Sequence, residues 1–374
     1  MPRILLVNNT SVYVHRFRRQ LIERLGAAGH EVVLVCPTDA HTHKLNDLGV
    51  ERIDWPLRQH GTHPWSELKA AEFLARTAKR VRPQVVLNFT LKPAIYGSFA
   101  ARRCSAQSCF SVFTGLGYYF TDPARFNSLP TRAMRGLLKL ALPANDAVFF
   151  QNPADRDLFV RMGLIRADRT RIVDGSGVDT RHFQPSGDPV VPGSFVLVGR
   201  MLAEKGVREF VAAARSIRAV HPHSRFWLVG GIDTSSSAIT REEIRAWERE
   251  KTIEYFGEVD DVRPIVGKAS ALVLPSYREG MPRSVLEGMA MGKAVVVTDV
   301  PGCSDCVTDG VNGLVVPPAN SQALAAAMSR LLVDSGLGDR MGAMSRQIAV
   351  ERYDVQRINT SFLKACGLIS ATAV

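Results

Sequence analysis

Apolar positions along the chain gather into short uninterrupted runs of strand length, separated by longer stretches in which apolar residues recur at helical spacing. In the first half the runs are Ile4 to Val7, Val32 to Cys36, Val85 to Phe89, Cys109 to Phe113 and Ala147 to Phe150. In the second half they are Phe195 to Val198, Phe226 to Val229, Ala271 to Leu274, Ala294 to Val297 and Leu314 to Val316. Such runs, rich in β-branched residues, predict strands buried on both faces of a parallel sheet. Between the first two runs, Phe17, Leu21 and Leu25 share one helical face and Gly29 follows as a stop. The pattern predicts an α/β chain of two doubly wound, Rossmann-like domains, 1–187 and 188–350, each a parallel sheet covered by helices. The boundary is expected in Phe183 to Gly193, which carries three prolines and two glycines and no apolar periodicity. Residues 351–374, with Tyr353, Ile358, Phe362 and Leu363, read as a terminal amphipathic helix that packs back towards the first domain.

Composition narrows the class. A chain of 374 residues with 46% hydrophobic and 22% charged residues is globular, neither disordered nor a small stapled scaffold. The six cysteines, at 36, 104, 109, 303, 306 and 366, form no disulfide framework, which points to a reducing, cytoplasmic setting. Ile4 to Val7 runs directly into Asn8, Asn9, Thr10 and Ser11, unlike a signal peptide. The longest apolar stretch, Leu137 to Ala144, is interrupted by Lys139 and Pro143, so no membrane-crossing segment is expected.

The net charge of +11 is one-sided. Residues 1–187 hold 26 Lys+Arg against 15 Asp+Glu, and the remainder holds 21 against 21. A surplus confined to one domain points to an anionic partner there, whether a phospholipid leaflet, a phosphorylated substrate or nucleic acid, or serves solubility alone. Within it, Pro130 to Leu142 sets Arg132, Arg135 and Lys139 on one helical face and Met134, Leu138 and Ala141 on another. Such a helix either lies on an anionic leaflet or faces the core with a solvated basic side.

The chemistry concentrates in Leu272 to Gly292: a buried run, a loop holding Glu279, Gly280, Met281 and Pro282, and a helix beginning near Arg283 that carries Glu287. A helix start at the carboxyl end of a parallel strand presents free N–H groups and a positive dipole end, a seat for phosphate. Two carboxylates there would repel phosphate, so their partners are hydroxyl groups, as on a sugar and a ribose. Two surface glutamates on an ordinary capped helix are the bland alternative. Arg200 and Lys205, in Gly199 to Gly206, lie where a second run ends and could neutralise a diphosphate. Two phosphate-type sites and a carboxylate pair in one domain converge on a sugar nucleotide.

These motifs resemble those of the family 4 retaining glycosyltransferases, whose fold is GT-B, two Rossmann-like domains facing across a cleft. Glu279 and Glu287 match that family's Glu-x7-Glu spacing, and Gly199-Arg200 with Lys205-Gly206 match its diphosphate-binding cations. Gly29 to Val32 and Phe256 to Asp261 extend the similarity over nearly the whole chain. In the first half, Thr90 to Ser98, including Lys92, and Phe113 to Tyr118, including Thr114, Gly115 and Gly117, resemble bacterial enzymes that extend lipid-linked oligosaccharides. The resemblance implies a UDP-sugar donor, a polyprenyl-diphosphate-linked saccharide acceptor docking on the basic domain, retention, and a reaction closing in the cleft. By it Glu279 holds donor hydroxyls, Glu287 the ribose, Gly280, Met281 and Pro282 the sugar and phosphate through backbone, and Val259 lies near the base. Arg200 and Lys205 stabilise the departing diphosphate, which itself takes the acceptor's proton. No cofactor or metal is expected, and the protein is expected to be peripheral on the cytoplasmic face of the inner membrane.

The sequence departs from the family at two places. Where many members carry a histidine after the fourth strand, this chain has Thr114 and Gly115, and no histidine occurs between His63 and His182. A threonine is no base, so Thr114 and Gly115 enter only as lining. The first strand leads to Asn8, Asn9, Thr10 and Ser11 instead of a glycine pair, with Asn9 and Thr10 as candidates for backbone approach to the diphosphate. Cys303 and Cys306 form a lone Cys-x-x-Cys and read as buried thiols. His41, His43, His60 and His63 fall in loops and could bind metal adventitiously, with no functional metal expected. A UDP-sugar 2-epimerase of the same fold and a non-catalytic nucleic-acid binder are the competing readings. The first predicts donor conversion without acceptor, and the second lacks aromatics interleaved with the basic residues.

Overall fold

The computed structural model describes residues 2–58, 63–116, 120, 126–233, 235, 237–334 and 336–370. The chain forms two compact units, one of Met1–Ser176 with Gln356–Val374 and one of Gly177–Val355. In the first, strands β1 (Arg3–Val7), β2 (Glu31–Cys36), β3 (Glu51–Asp54), β4 (Val85–Phe89), β5 (Ser108–Phe113), β6 (Ala147–Phe150) and β7 (Thr170–Ile172) form a sheet ordered β3-β2-β1-β4-β5-β6-β7. In the second, β8 (Ser194–Val198), β9 (Arg225–Val229), β10 (Glu254–Tyr255), β11 (Ala271–Leu274), β12 (Ala294–Thr298) and β13 (Gly313–Val316) form a sheet ordered β10-β9-β8-β11-β12-β13. All pairings between these strands are parallel. Strand order reverses between β1 and β4 in one sheet and between β8 and β11 in the other. Those reversals open a crevice at the carboxyl ends of the strands, where open α/β sheets bind ligands.

Each apolar run seen in the sequence is a strand. The strands that the apolar pattern misses, β3, β7 and β10, all lie at sheet edges. An edge strand pairs on one side only and stays partly wet, so Glu51–Asp54, Thr170–Ile172 and Glu254–Tyr255 keep polar residues and lack the continuous apolar signature.

The central strands bury both faces. In the first unit Leu5, Val7, Val33 and Val35 pack against Leu74 and Ala78 of helix Pro64–Val81 and Ala100 of helix Leu91–Cys104. On the opposite face Leu6, Leu34 and Leu87 meet Leu21 and Leu25 of helix Arg19–Ala27. In the second unit Phe195, Leu197 and Val273 pack on Phe210 and Ala214 of helix Val207–Val220, while Val196, Leu272 and Val295 pack on Val285 and Met289 of helix Arg283–Ala290.

The division falls at Ser176/Gly177 and not at 187/188 as the proline-rich stretch suggests. Val178 donates its N–H to Tyr353 O at 2.8 Å, and Val178 and Phe183 join the core of the second unit, so the segment before the prolines already belongs there. The tail also differs from a single helix over 351–374. Helix Leu337–Arg352 ends beside Tyr353, which is buried in the second unit. A new helix, Val355–Ala365, then carries Ile358, Phe362 and Leu363 into the core of the first. The chain therefore returns to its starting unit at Gln356. Phe362 sits edge-on to Phe149 at 4.8 Å between centroids and 6.2 Å from Phe89. Phe362→Ala should cost about 3–5 kcal/mol of stability in the first unit, seen as a lower denaturation midpoint for that unit.

Candidate functional site

Strand β8 ends at Val198, and the chain turns through Gly199 and Arg200 into a short turn, Ala203–Lys205, before helix Val207–Val220 begins. Gly206 makes that turn. Its φ is +70°, and a Cβ there would overlap the Pro275 carbonyl oxygen just past β11, so the helix start is pressed against the neighbouring strand's end. Neither this helix nor Arg283–Ala290, which follows β11, has a side-chain cap at its N-terminus. Two helix starts with uncapped N–H groups thus stand at the carboxyl ends of the two strands that flank the reversal.

The structure brings Lys205 and Glu279 into direct contact. The ammonium Nζ donates to Glu279 Oε1, and Ser276 Oγ donates to the same oxygen at 2.8 Å. Both side chains are largely buried, at 21% and 13% exposure, so the pair is held in a fixed geometry. The Glu279 N–H is anchored on Pro301 O at 3.1 Å. Gly302, with φ +86°, lies so close to the Glu279 and Gly280 carbonyls that no side chain fits, which fixes the loop from its far side. Glu287 is bound by Arg283, one turn earlier on the same helix, with Nε donating to Oε1 at 2.9 Å. Gly280, Met281 and Pro282 bridge the loop to this helix, Pro282 being its N-cap residue, and Met281 packs on the adjoining apolar cluster. Val259 follows β10 and packs on the same cluster.

Arg200 is half-exposed and donates through Nη1 to Asp233 Oδ2 at 2.6 Å. Asp233, which sequence reasoning missed, follows β9 in Gly230-Gly231-Ile232-Asp233. A carboxylate after a glycine pair at a strand's carboxyl end was the available signal. Burial alone would raise the Asp233 carboxyl, but the Ser235 amide at 2.8 Å and the Arg200 guanidinium together hold it below the usual carboxylate range. The other unpredicted member is Ser276, which has no motif of its own.

In the first unit the predicted residues also sit at the reversal, though mostly engaged in its architecture. Thr10 caps helix Ser11–Phe17, its hydroxyl accepting from the Tyr13 N–H at 3.2 Å, and Asn9 donates its N–H to Asn8 Oδ1 at 2.8 Å. Lys92, which the sequence offered as an acceptor contact, is largely buried. It donates to Glu67 Oε1 at 2.8 Å and to Arg58 O at 2.9 Å, while Tyr96 OH donates to Glu67 Oε2 at 2.6 Å. Burial and the Glu67 carboxylate push the Tyr96 phenol up. Thr114 and Gly115 follow β5, Gly115 with φ +140°. Gly117, Tyr118 and His60 lie outside the described residues.

The remaining candidates are structural. Cys303 and Cys306 are free and buried, and burial raises both thiols, Cys306 to about 12. His41 precedes the turn Thr42–Leu48, His43 lies in it, and His63 is the residue before helix Pro64–Val81.

A sequence family described as "Glycosyl transferases group 1" matches residues 192–334, and one described as "Glycosyl transferase 4-like domain" matches residues 14–175. The chain is 27% identical over 379 residues to the N,N'-diacetylbacillosaminyl-diphospho-undecaprenol alpha-1,3-N-acetylgalactosaminyltransferase of Campylobacter jejuni, covering 97% of each protein. It is 23% identical over 306 residues, 79% of each, to the capsular polysaccharide biosynthesis glycosyltransferase CapM of Staphylococcus aureus. Among solved structures, Anabaena HepE in complex with UDP superposes with a TM-score of 0.79 at 17% identity, covering 98% of this chain and 100% of that one. Sucrose-phosphate synthase from Thermosynechococcus elongatus gives 0.81 at 21% identity, with 98% of each chain covered. At those identities the likeness is one of fold.

Asp233 has a lowered pKa in the folded state, so its contribution to stability is complete above the value of a free aspartate and is lost as pH falls through the lower folded value. Asp233→Asn should lower the denaturation midpoint at neutral pH and flatten its decline between neutral pH and about pH 3, measured by urea unfolding across that range.

Proposed function

The chain belongs to the family 4 glycosyltransferases of GT-B fold, and from that premise we propose that it moves a hexose or N-acetylhexosamine, with retention, from a UDP-sugar to a polyprenyl-diphosphate-linked saccharide. The observation that carries this reading is the grouping of Arg200, Lys205 and Glu279 around the β8/β11 reversal, beside two uncapped helix starts. Full-length similarity to an enzyme named for a diphospho-undecaprenol acceptor supports the lipid-linked acceptor. The UDP bound by HepE, a neighbour in fold, supports the nucleotide.

In this reading the diphosphate lies across the helix starts, between the Arg200 guanidinium and the Lys205 ammonium. The bond between the sugar's anomeric carbon and the β-phosphate oxygen breaks, and its electron pair stays with UDP. The acceptor hydroxyl forms the new bond on the same face, and its proton passes to the departing phosphate oxygen. Charge grows on the phosphate as it leaves, and cations placed beforehand stabilise that state without reorganising. Because Lys205 also holds one oxygen of Glu279, the same ammonium that meets the diphosphate orients the carboxylate that takes the donor sugar's hydroxyls. Glu287 takes the ribose, the backbone of Gly280, Met281 and Pro282 the sugar and phosphate, and Val259 lies near the base. In the first unit the backbone of Asn9 and Thr10 approaches the diphosphate, Lys92 serves the acceptor, and Thr114 and Gly115 line the site. A phosphate that accepts the proton removes the need for a histidine at Thr114.

Two cations and two helix starts supply the positive charge, so no divalent metal is required by this mechanism. Among the described residues no helix is long and apolar enough to cross a membrane. Work on a lipid-anchored acceptor is proposed to take place peripherally, at the cytoplasmic face of the inner membrane, in the assembly of a cell-surface glycan.

Turnover measured with a panel of UDP-sugars and lipid-linked acceptors tests the reading. Arg200→Ala and Lys205→Ala should each lower kcat/KM by about 10²–10³-fold, and Glu279→Ala by a similar factor. Undiminished activity in these variants refutes the site, and donor converted without acceptor would indicate epimerisation. Excess EDTA should leave the rate unchanged, and a rate that collapses and returns with added metal would overturn the metal-free mechanism.

A further inference from the structure

Thr90 follows strand β4 at the reversal of the first sheet, in a backbone conformation that threonine rarely adopts. Its φ is +79° and its ψ 174°, a region populated almost only by glycine, because a branched Cβ there crowds the flanking carbonyls. The surrounding fold enforces it. The Thr90 N–H donates to Val112 O of β5 at 2.9 Å, and the Thr90 carbonyl accepts the Ala94 N–H at 3.0 Å at the start of helix Leu91–Cys104. A threonine placed before a helix ordinarily spends its hydroxyl on an N–H two or three residues on. Here the third residue is Pro93, which has no N–H, and the Thr90 hydroxyl makes no bond to the helix.

That hydroxyl is left over. Among the described residues Thr90 Oγ1 is buried without a hydrogen-bond partner, although the residue as a whole is partly exposed, so the atom lies just beneath the surface. Asn9 repeats the situation across the reversal. Strands β1 and β4 pair as far as Val7 and Asn88, and two residues further along the same register stand Asn9 and Thr90. The Asn9 N–H is taken by Asn8 Oδ1, while Asn9 Oδ1 is buried and unpartnered in a residue that is also partly exposed. A buried polar atom without a partner is costly, and so is a threonine held in a glycine conformation. Both costs fall at one crevice, at the carboxyl ends of strands where open α/β sheets bind ligands.

We propose that the Thr90 hydroxyl and the Asn9 side-chain carbonyl form a subsite for the acceptor, taking a hydroxyl or acetamido group of its saccharide. An amide oxygen only accepts, so its partner must donate, and an ionised phosphate oxygen has no proton to give. A threonine hydroxyl both donates and accepts. A sugar hydroxyl, or an acetamido group with its N–H and its carbonyl, supplies both roles. The identity of this saccharide as an acceptor rests on the proposed reaction, whereas the strained backbone and the two unpartnered atoms do not.

Substitutions at Thr90 test the subsite. Thr90→Val keeps the shape and deletes the hydroxyl. It should lower kcat/KM for the lipid-linked acceptor about tenfold or more, leave KM for the UDP-sugar unchanged, and leave the denaturation midpoint no lower than that of the wild type. Thr90→Ser should recover most of the loss. Thr90→Gly also relieves the backbone, so it should raise the midpoint while losing as much acceptor activity. Among acceptor analogues that each lack one hydroxyl or the acetamido group, one should be turned over poorly by the wild type and no worse by Thr90→Val or Asn9→Ala, because its missing group is their partner. Unchanged acceptor kinetics in Thr90→Val, or a fall shared equally by donor and acceptor, would overturn the subsite. A midpoint lowered in both Thr90→Val and Thr90→Gly would do so too, since the hydroxyl would then serve the fold through an internal water. If the wild type turns over no acceptor, the proposed reaction fails, and calorimetry with the unlipidated saccharides of the same panel decides the subsite. Binding weakened about tenfold in Thr90→Val supports it, and equal or absent binding overturns it.

Discussion

A parallel strand buried on both faces can offer a ligand only its carboxyl end, and in the second unit that constraint arranges everything else. Strands β8 and β11 lie side by side, and their connections leave in opposite directions, so two helix starts come to stand over adjacent strand ends. The approach is close enough that Gly206 has no room for a side chain beside Pro275. Six charged groups then fall around one crevice edge in three pairs: Lys205 on Glu279, Arg200 on Asp233, and Glu287 on Arg283. A charge fixed in this way is oriented before any ligand arrives, and orientation set in advance is what electrostatic stabilisation of a leaving group requires.

The Lys205 and Glu279 pair shows how the site uses one interaction twice. An ammonium and a carboxylate removed from water are costly unless each has a partner, and Ser276 adds a further hydrogen bond to the carboxylate oxygen. In the proposed reaction this pairing would hold the carboxylate in place for the donor sugar while the ammonium meets the diphosphate. In the first unit the same economy has a different result. Glu67 receives both Lys92 and Tyr96, tying helix Pro64–Val81 to helix Leu91–Cys104 just behind the end of β4. There the lysine braces two helices of the same unit against each other.

Charge in the first unit divides into two populations. Some cations are spent on carboxylates along the surface, as with Arg19 on Asp47. Others, Lys79 with Arg82 and Arg102 with Arg103, gather at the ends of two neighbouring helices around adjoining surface cavities.

Features that depend on neighbours along the chain were legible in the residues alone. The central strands, the helix that starts at Arg283, the spacing of Glu279 and Glu287, and the return of Ile358, Phe362 and Leu363 to an apolar core all follow from local periodicity. The rest depends on contacts between distant segments and emerges with the folded chain. Asp233 reaches Arg200 across 33 positions and Glu67 reaches Lys92 across 25, and neither pairing leaves a trace in local composition. The edge strands β3, β7 and β10 are recognisable only by the strands they pair with. The unit boundary at Ser176 was set by Val178 bonding to Tyr353. In helix Leu129–Ala141 the stripe of Met134, Leu138 and Ala141 was taken into the core, while Arg135 left the expected basic face to lie 4.0 Å over the Phe126 ring. Periodicity says that a stripe is apolar, but burial is a property of the space around it, and that space is made by the rest of the fold.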